Sequence, residues 1–420
     1  MSHLSLILLI VLFASIEGSF ITSFEKYFGS KTPYRAVENK DTTPVEFPGC
    51  QPKKIWYIIR HGARAPTKKH LHNMEQNLPR IAQIIINAKS ESFLAEIEEL
   101  KKWKLPFDTE GILTAEGGRE LSSLASRTKA RFPTLFPEGY SKTHYYFRHT
   151  DAERTQSSAR NFTFGLFGNE HYKVEYPPPP PVDLVLKFYK TCTRYKDEVD
   201  RYDYEEAIAF SKSDRVENVI ATVNERLNLN GTLTFDDVDY MYQACIHEAA
   251  SFRQSVWCSF LPLEAIKVYG FIDSLDNYHK SGYRCEVTYK QACPMFKSMI
   301  DHFERKDGPP TTVYFAHDGG ILKFYAHLGL FKDDHHLNRT DYESSYQWDI
   351  SKIGPFATNI AFVLYNCSST EKVAVLLQER MIKLPNCGEL CDFERIKLQY
   401  NDSINNCAHD QICKKKTHAL

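Results

Sequence analysis

Ile58-Ile59-Arg60-His61-Gly62-Ala63-Arg64-Ala65-Pro66-Thr67 carries the reading of this chain. The run Ile55 to Ile59 is apolar and rich in β-branched and aromatic residues, so it reads as a buried strand. The charged string therefore sits where a strand ends and a loop begins. A second stretch, Thr312 to Ala316 followed by His317-Asp318-Gly319-Gly320, repeats that pattern far along the chain. The first offers an imidazole flanked by two guanidiniums. The second offers another imidazole beside a carboxyl.

Transfer of a phosphoryl group needs a nucleophile, positive groups for the equatorial oxygens, and an acid for the leaving group. Arg60, His61 and Arg64 supply the first two, because a guanidinium matches phosphate geometry in a bidentate way. Gly62 lets the backbone turn tightly and a phosphate come close. His317 and the backbone amides of a helix opening at Gly319-Gly320 can hold phosphate oxygens. Asp318 can protonate a leaving oxygen. Arg154, in Glu153-Arg154-Thr155, is a further cation, and on its own reads equally well as a surface helix arginine. Thr67, Lys68 and Lys69 follow the first string and are candidates for contacting the substrate; a solvated loop accounts for them equally well.

Rival chemistries leave no trace. No cysteine has arginine six positions on, as a cysteine phosphatase requires. There is no Gly-x-x-x-x-Gly-Lys-Ser/Thr loop, no Gly-x-Ser-x-Gly and no His-Glu-x-x-His. Asp333-Asp334-His335-His336 reads as a solvated turn rather than a metal site. The expectation is a site without metal or cofactor.

The chain has 420 residues and a formal net charge of −1, so no global field advertises nucleic acid or membrane, and any pull on an anion must be local. Leu4 to Ala14 is an apolar run too short to span a bilayer, and it reads as a secretory leader cut near Gly18. Eleven cysteines fit an oxidising compartment, with Cys413 the candidate for the odd thiol. Five glycosylation sequons, at Asn161, Asn230, Asn338, Asn366 and Asn401, point the same way. The expected location is secreted or within the lumen of the secretory pathway, with no stable membrane anchor.

Outward from the two strings, residues 20–50 read as an extended arm and Pro79 to Leu100 as a helix. Thr114 reads as the N-cap of a helix through Leu121. His144 to Phe147 reads as a strand leading into a loop and helix at Asp151. Pro177 to Pro181 breaks the composition. After it, Val216, Val219, Ile220, Val223 and Leu227 recur at helical spacing, and Thr234 to Asp237 forms a capping box. Ile321 to Leu328 reads as a helix stopped by Gly329, and Asn359 to Tyr365 with Lys372 to Leu377 as an antiparallel hairpin. The expected fold is α/β: a central, mostly parallel sheet flanked by helices, with a largely helical cap inserted. Its parts are a leader at 1–18, a core at 19–168 and 300–400, a cap at 169–299 and a polar tail at 401–420.

The string Arg-His-Gly-x-Arg-x-Pro resembles that of the histidine phosphatase superfamily, in its branch of acid phosphatases and phytases. Leu113-Thr114 with Gly117, and Asp151-x-x-Arg154-Thr155, are similar to two further elements of that branch. Tyr242 to Cys245 through Val256-Trp257-Cys258, Lys280 to Tyr283, and Pro355 to Cys367 resemble multiple inositol polyphosphate phosphatases. The resemblance implies His61 as a nucleophile that becomes phosphohistidine, with Arg60, Arg64, Arg154 and His317 holding phosphate. Asp318 would be the proton donor, although the inositol polyphosphate members usually carry His-Ala-Glu here. It implies disulfides Cys50–Cys367, Cys245–Cys258, Cys285–Cys293 and Cys387–Cys391, with Cys192–Cys407 beside them. The implied activity is hydrolysis of inositol polyphosphates, phytate among them, and of 2,3-bisphosphoglycerate. A broad acid phosphatase and an inactive secreted binding protein are the alternatives.

Overall fold

The computed structural model describes residues 24–415. The expected leader and residues 416–420 lie outside them. Seven strands form the centre: β1 (Cys50–Arg60), β2 (Tyr145–His149), β3 (Thr311–Ala316), β4 (Asn359–Cys367), β5 (Thr370–Leu377), β6 (Arg380–Ile382) and β7 (Leu390–Asp392). Their order is β2-β3-β1-β4-β5-β6, with β7 on β5. β2, β3 and β1 run parallel, β4 runs antiparallel to β1, and β4 and β5 form the expected hairpin. Four of these strands, β1, β2, β3 and β5, thus share one direction.

β1 shows why its sequence is apolar without alternation: it is covered on both faces. Ile55, Tyr57 and Ile59 pack with Leu121, Phe162 and Phe315 on one side. Trp56 and Ile58 pack with Phe324 and Phe362 on the other. Successive side chains on a strand point oppositely, so one run serves two layers.

The principal helices are α1 (Lys68–Ala88), α2 (Leu94–Leu100), α3 (Ala115–Arg131), α4 (Glu153–Phe167), α5 (Asp214–Arg226), α6 (Phe235–Phe252), α7 (Leu263–Ser281), α8 (Cys293–Glu304) and α9 (Asp318–His327). Thr114 caps α3 by accepting from the Gly117 N–H, and Thr234 with Asp237 closes the capping box of α6. Gly329, at φ +78°, ends the turn after α9.

Two segments differ from their sequence reading. The helix expected over 79–100 starts at Lys68, capped by Thr67, and breaks at Lys89, which adopts φ +49° before α2 begins. The arm is not extended: it folds through 3-10 turns at Gly29–Lys31 and Tyr34–Ala36, and Phe24, Phe28 and Tyr34 are buried. Those aromatic side chains draw the segment onto the body. Arg35 fastens it through Glu25 and Glu116.

Disulfides Cys50–Cys367, Cys245–Cys258 and Cys387–Cys391 form as expected. Two pairings are corrected: Cys192 joins Cys413 rather than Cys407, and Cys293 joins Cys407 rather than Cys285. The free thiol is therefore Cys285, not Cys413. The polar tail folds back instead of trailing. Its helix Asn401–Asn405 packs along α8, which begins at Cys293, and this sets Cys407 beside that residue. The Cys413 carbonyl then accepts from the Arg194 N–H and the Thr193 hydroxyl, next to Cys192.

Among the sequons, Asn230 and Asn401 are exposed. Asn161 lies against Gly118 between α3 and α4, donating to the Ser157 carbonyl. His335 pairs with Asp341 on the surface. Among the described residues no group of three His, Cys, Asp or Glu side chains gathers to hold a metal, and no helix is long and apolar enough to cross a membrane.

Candidate active site

The two strings meet because β1 and β3 are neighbours in register, Arg60 opposite Ala316. The His61 N–H donates to the Ala316 carbonyl at 3.0 Å. Parallel pairing brings both carboxyl ends to one edge of the sheet, where an α/β fold opens a crevice. The His61 and His317 rings then stand edge to face, 5.5 Å between centroids. Arg60 Nη2 pairs with Asp318 Oδ2 at 2.7 Å.

Each side chain is held from behind. Arg60 is fully buried and donates from Nη1 to the Ser30 and Gly354 carbonyls at 2.5 and 2.6 Å, its plane over the Phe356 ring. His61 Nδ1 lies 2.9 Å from the Gly62 carbonyl. That carbonyl can only accept, so Nδ1 carries the proton and Nε2 keeps its lone pair. His317 Nε2 is 2.8 Å from the Thr150 hydroxyl, which follows β2. Asp318 opens α9, accepting from the Gly319 N–H at 2.7 Å, with its side chain about one-third exposed at 34%. Arg154 lies in the first turn of α4, and its Nε is buried without a hydrogen-bond partner.

The backbone around His61 is packed to contact. A Cβ on Gly62 would meet the Gly117 carbonyl at 2.4 Å, and one on Gly117 would meet the Ala63 carbonyl at 2.1 Å. Thr114 donates to that same Ala63 carbonyl at 2.9 Å, and Ser158 accepts from the Gly62 N–H at 3.2 Å. Glu120 accepts from the Ala63 and Tyr34 N–H groups, both at 2.7 Å. Burial pushes its carboxyl up to about 7 against those two donors.

The electrostatics are those of an anion site. Burial, Arg60 and Arg64 hold the His61 imidazole well below its usual range, so it is neutral. Burial and Arg154 hold His317 down at about 3. Arg64, half-buried, is lowered to about 10 by desolvation and by Arg60 and Arg154. Burial alone would raise Asp318, but the Arg60 and Arg64 guanidiniums outweigh it, and the carboxyl lies far below the usual carboxylate range. Three guanidiniums face one carboxylate, and the N-termini of α4 and α9 add their partial positive charge. A neutral imidazole with a free lone pair in such a field can attack an anionic phosphorus centre.

The structure thus gathers Arg60, His61, Arg64, Arg154, His317 and Asp318. Thr67, Lys68 and Lys69 are exposed at the start of α1, where the Thr67 hydroxyl accepts from the His70 N–H, and Lys69 acts electrostatically on His70 as Arg64 does. Lys31, from the arm, acts electrostatically on Asp318. Burial, with Lys31 and Arg64, also holds His70 and His247 down, and both His247 ring nitrogens are buried without a hydrogen-bond partner. Sequence reasoning missed Lys31, Glu120, Thr150, Ser158 and the loop at Gly354. Each is a single common residue whose partner lies far off in the chain, so no local pattern marks it.

The sequence pattern of the histidine phosphatase superfamily (branch 2) matches residues 53–384. The chain belongs to that superfamily. This histidine phosphatase is 32% identical over 414 residues to multiple inositol polyphosphate phosphatase 1 of Drosophila melanogaster, covering 93% of this chain and 88% of the relative. Its fold superposes on the phytase from D. castellii with a TM-score of 0.72 at 16% identity, covering 94% and 89% of the two chains. It superposes on the Bifidobacterium longum multiple inositol polyphosphate phosphatase, in complex with inositol hexasulfate, with a TM-score of 0.68 at 16% identity, covering 86% and 94%.

Proposed function

We propose that the protein is a secreted phosphomonoesterase that hydrolyses inositol polyphosphates, phytate among them, through a phosphohistidine at His61. The observation that carries this is the neutral, Nδ1-protonated His61 set among three guanidiniums. Arg60, Arg64, Arg154 and His317 bind the phosphoryl oxygens. His61 Nε2 attacks phosphorus, the bond from phosphorus to the inositol oxygen breaks, and Asp318 gives that oxygen its proton. Water then attacks phosphorus, the P–N bond breaks, and Asp318 takes the water's proton. Asp318 is ionised while Arg60 holds it; an arriving phosphate offsets the guanidiniums and lets the carboxyl take up the proton it must deliver. Lys31 and His70 stand ready to meet the substrate's other phosphates. Five disulfides among the described residues fit an oxidising compartment.

Phosphate release from phytate in the presence of chelator, compared between wild type and His61→Ala, tests the reading. Full loss in the variant is expected, and equal rates would end it. The acid at position 318 favours a second reading, a broad acid phosphatase, because Asp reaches less far than Glu. A higher kcat/KM for a simple aryl phosphate than for phytate would select it.

A further inference from the structure

Lys323, on the helix that begins with Asp318, is 1% exposed and enters none of the ion pairs found among the described residues. A lone buried ammonium is costly, and an apolar residue of similar length would fill the space more favourably. The surroundings are built to receive it nonetheless. Its Nζ lies 4.5 Å from the centroid of the Tyr195 ring and 5.1 Å from that of Tyr189, and it donates to the Ser281 hydroxyl at 3.3 Å. Aromatic faces attract a cation most strongly where water is excluded.

The cage reaches the reaction centre through Tyr189. That ring lies over the first turn of α9: a Cβ on Gly319 would sit 3.6 Å from it, and one on Gly320 likewise 3.6 Å. Burial, then the charge of Asp318, raises the Tyr189 hydroxyl well above its usual value, so phenol and carboxylate are neighbours. The other side of the cage is fixed by the tail. Tyr195 packs with Cys192 and Cys413, whose disulfide ties this segment down, and its hydroxyl donates to the Lys280 carbonyl.

We infer that Lys323 is a positioning residue: its ammonium clamps Tyr189 against the first turn of α9 and so sets the placement of Asp318. The inference rests on the reading of Asp318 as the group that moves the proton. Burial lowers Lys323 to about 7; Asp200 and Asp318 favour its charge, Lys190 and Lys280 oppose it, and Tyr189 and Tyr195 face it as neutral phenols. The clamp is therefore closed below about pH 7 and relaxes above it.

The test measures kcat/KM for an aryl phosphate and for phytate from pH 5 to 9 in wild type, Lys323→Met and Tyr189→Leu. Substrate ionisation is common to all and cancels in the ratios. The ratio of wild type to Lys323→Met is expected to change about three- to ten-fold across pH 7, the scale of one buried cation–aromatic contact. Tyr189→Leu, which keeps the lysine and removes the ring, is expected to lose the same inflection. Ratios constant over the whole range overturn the inference. Thermal melts supply a readout without turnover: because Lys323 is depressed on folding, Lys323→Met should melt progressively above wild type as pH falls from 10 to 7. Melts that stay parallel also overturn it. Wild type inactive on both substrates at every pH defeats the reading of the site instead, and the melts still decide whether Lys323 carries the shifted titration.

Discussion

Arg60 Nη2 and Asp318 Oδ2 lie 2.7 Å apart, joining the end of β1 to the start of α9. The guanidinium is fully buried and the carboxylate about one-third exposed, at 34%. One side chain thus belongs to the floor of the site and the other to its mouth. In the proposed mechanism, an anion that draws the guanidinium's charge would let this carboxylate take up the proton it must deliver.

Asp318→Asn keeps the shape of the carboxyl and removes its proton. On phytate the variant is expected to lose about 10²- to 10⁴-fold in kcat, the usual worth of a positioned acid. On an aryl phosphate, whose leaving group needs no proton, the loss should be much smaller. Equal losses on both substrates would remove Asp318 from the acid role.

Gly117→Ala would place a methyl group 2.1 Å from the Ala63 carbonyl. Backbone must shift, at a cost of about 1–3 kcal/mol. Because Ala63 follows His61-Gly62, kcat/KM should fall together with the midpoint of chemical denaturation. Unchanged stability and activity would show that the contact between α3 and the loop is not tight.

Glu120 sits at about 7 in the fold, raised from 4.5. A carboxyl raised on folding contributes its stability fully below about pH 4 and loses it as pH climbs through 7. That change amounts to about 3 kcal/mol. Glu120→Gln does not titrate, so it should gain on wild type by roughly that amount between pH 4 and 8. Denaturant melts at both pH values check this, and a constant gap between the two proteins would contradict it.

Cys285 is the free thiol among the described cysteines. Alkylation of the unreduced protein should label that residue, and a peptide map should return Cys192 with Cys413 and Cys293 with Cys407. Label on Cys413 instead would restore the pairing implied by resemblance.

The strings that make up the candidate site were legible in the chain. Arg60-His61-Gly62-x-Arg64 and His317-Asp318 follow apolar strands, and a strand's end is a place that local sequence can mark. Thr114 and Thr234 announced their helices because a cap acts within three residues. Lys68 and Lys69 show the limit of such local marks: sequence sets them beside the first string, and the structure places them exposed at the start of α1, behind the Thr67 cap.

What the sequence determined by itself is whatever depends on neighbours in the chain: the strand that presents His61, the glycines that let the loop close, the class of chemistry. Tertiary structure alone decided the rest. Parallel pairing of β1 with β3 made one site of two strings. The arm's buried aromatics brought the Ser30 carbonyl to Arg60 and the charge of Lys31 to bear on Asp318, and the folded-back tail chose the partners of Cys192 and Cys293. The physical reason is common to all three. Apolar burial and the pairing of buried polar groups act between segments far apart in sequence, and no local pattern records which segments will meet.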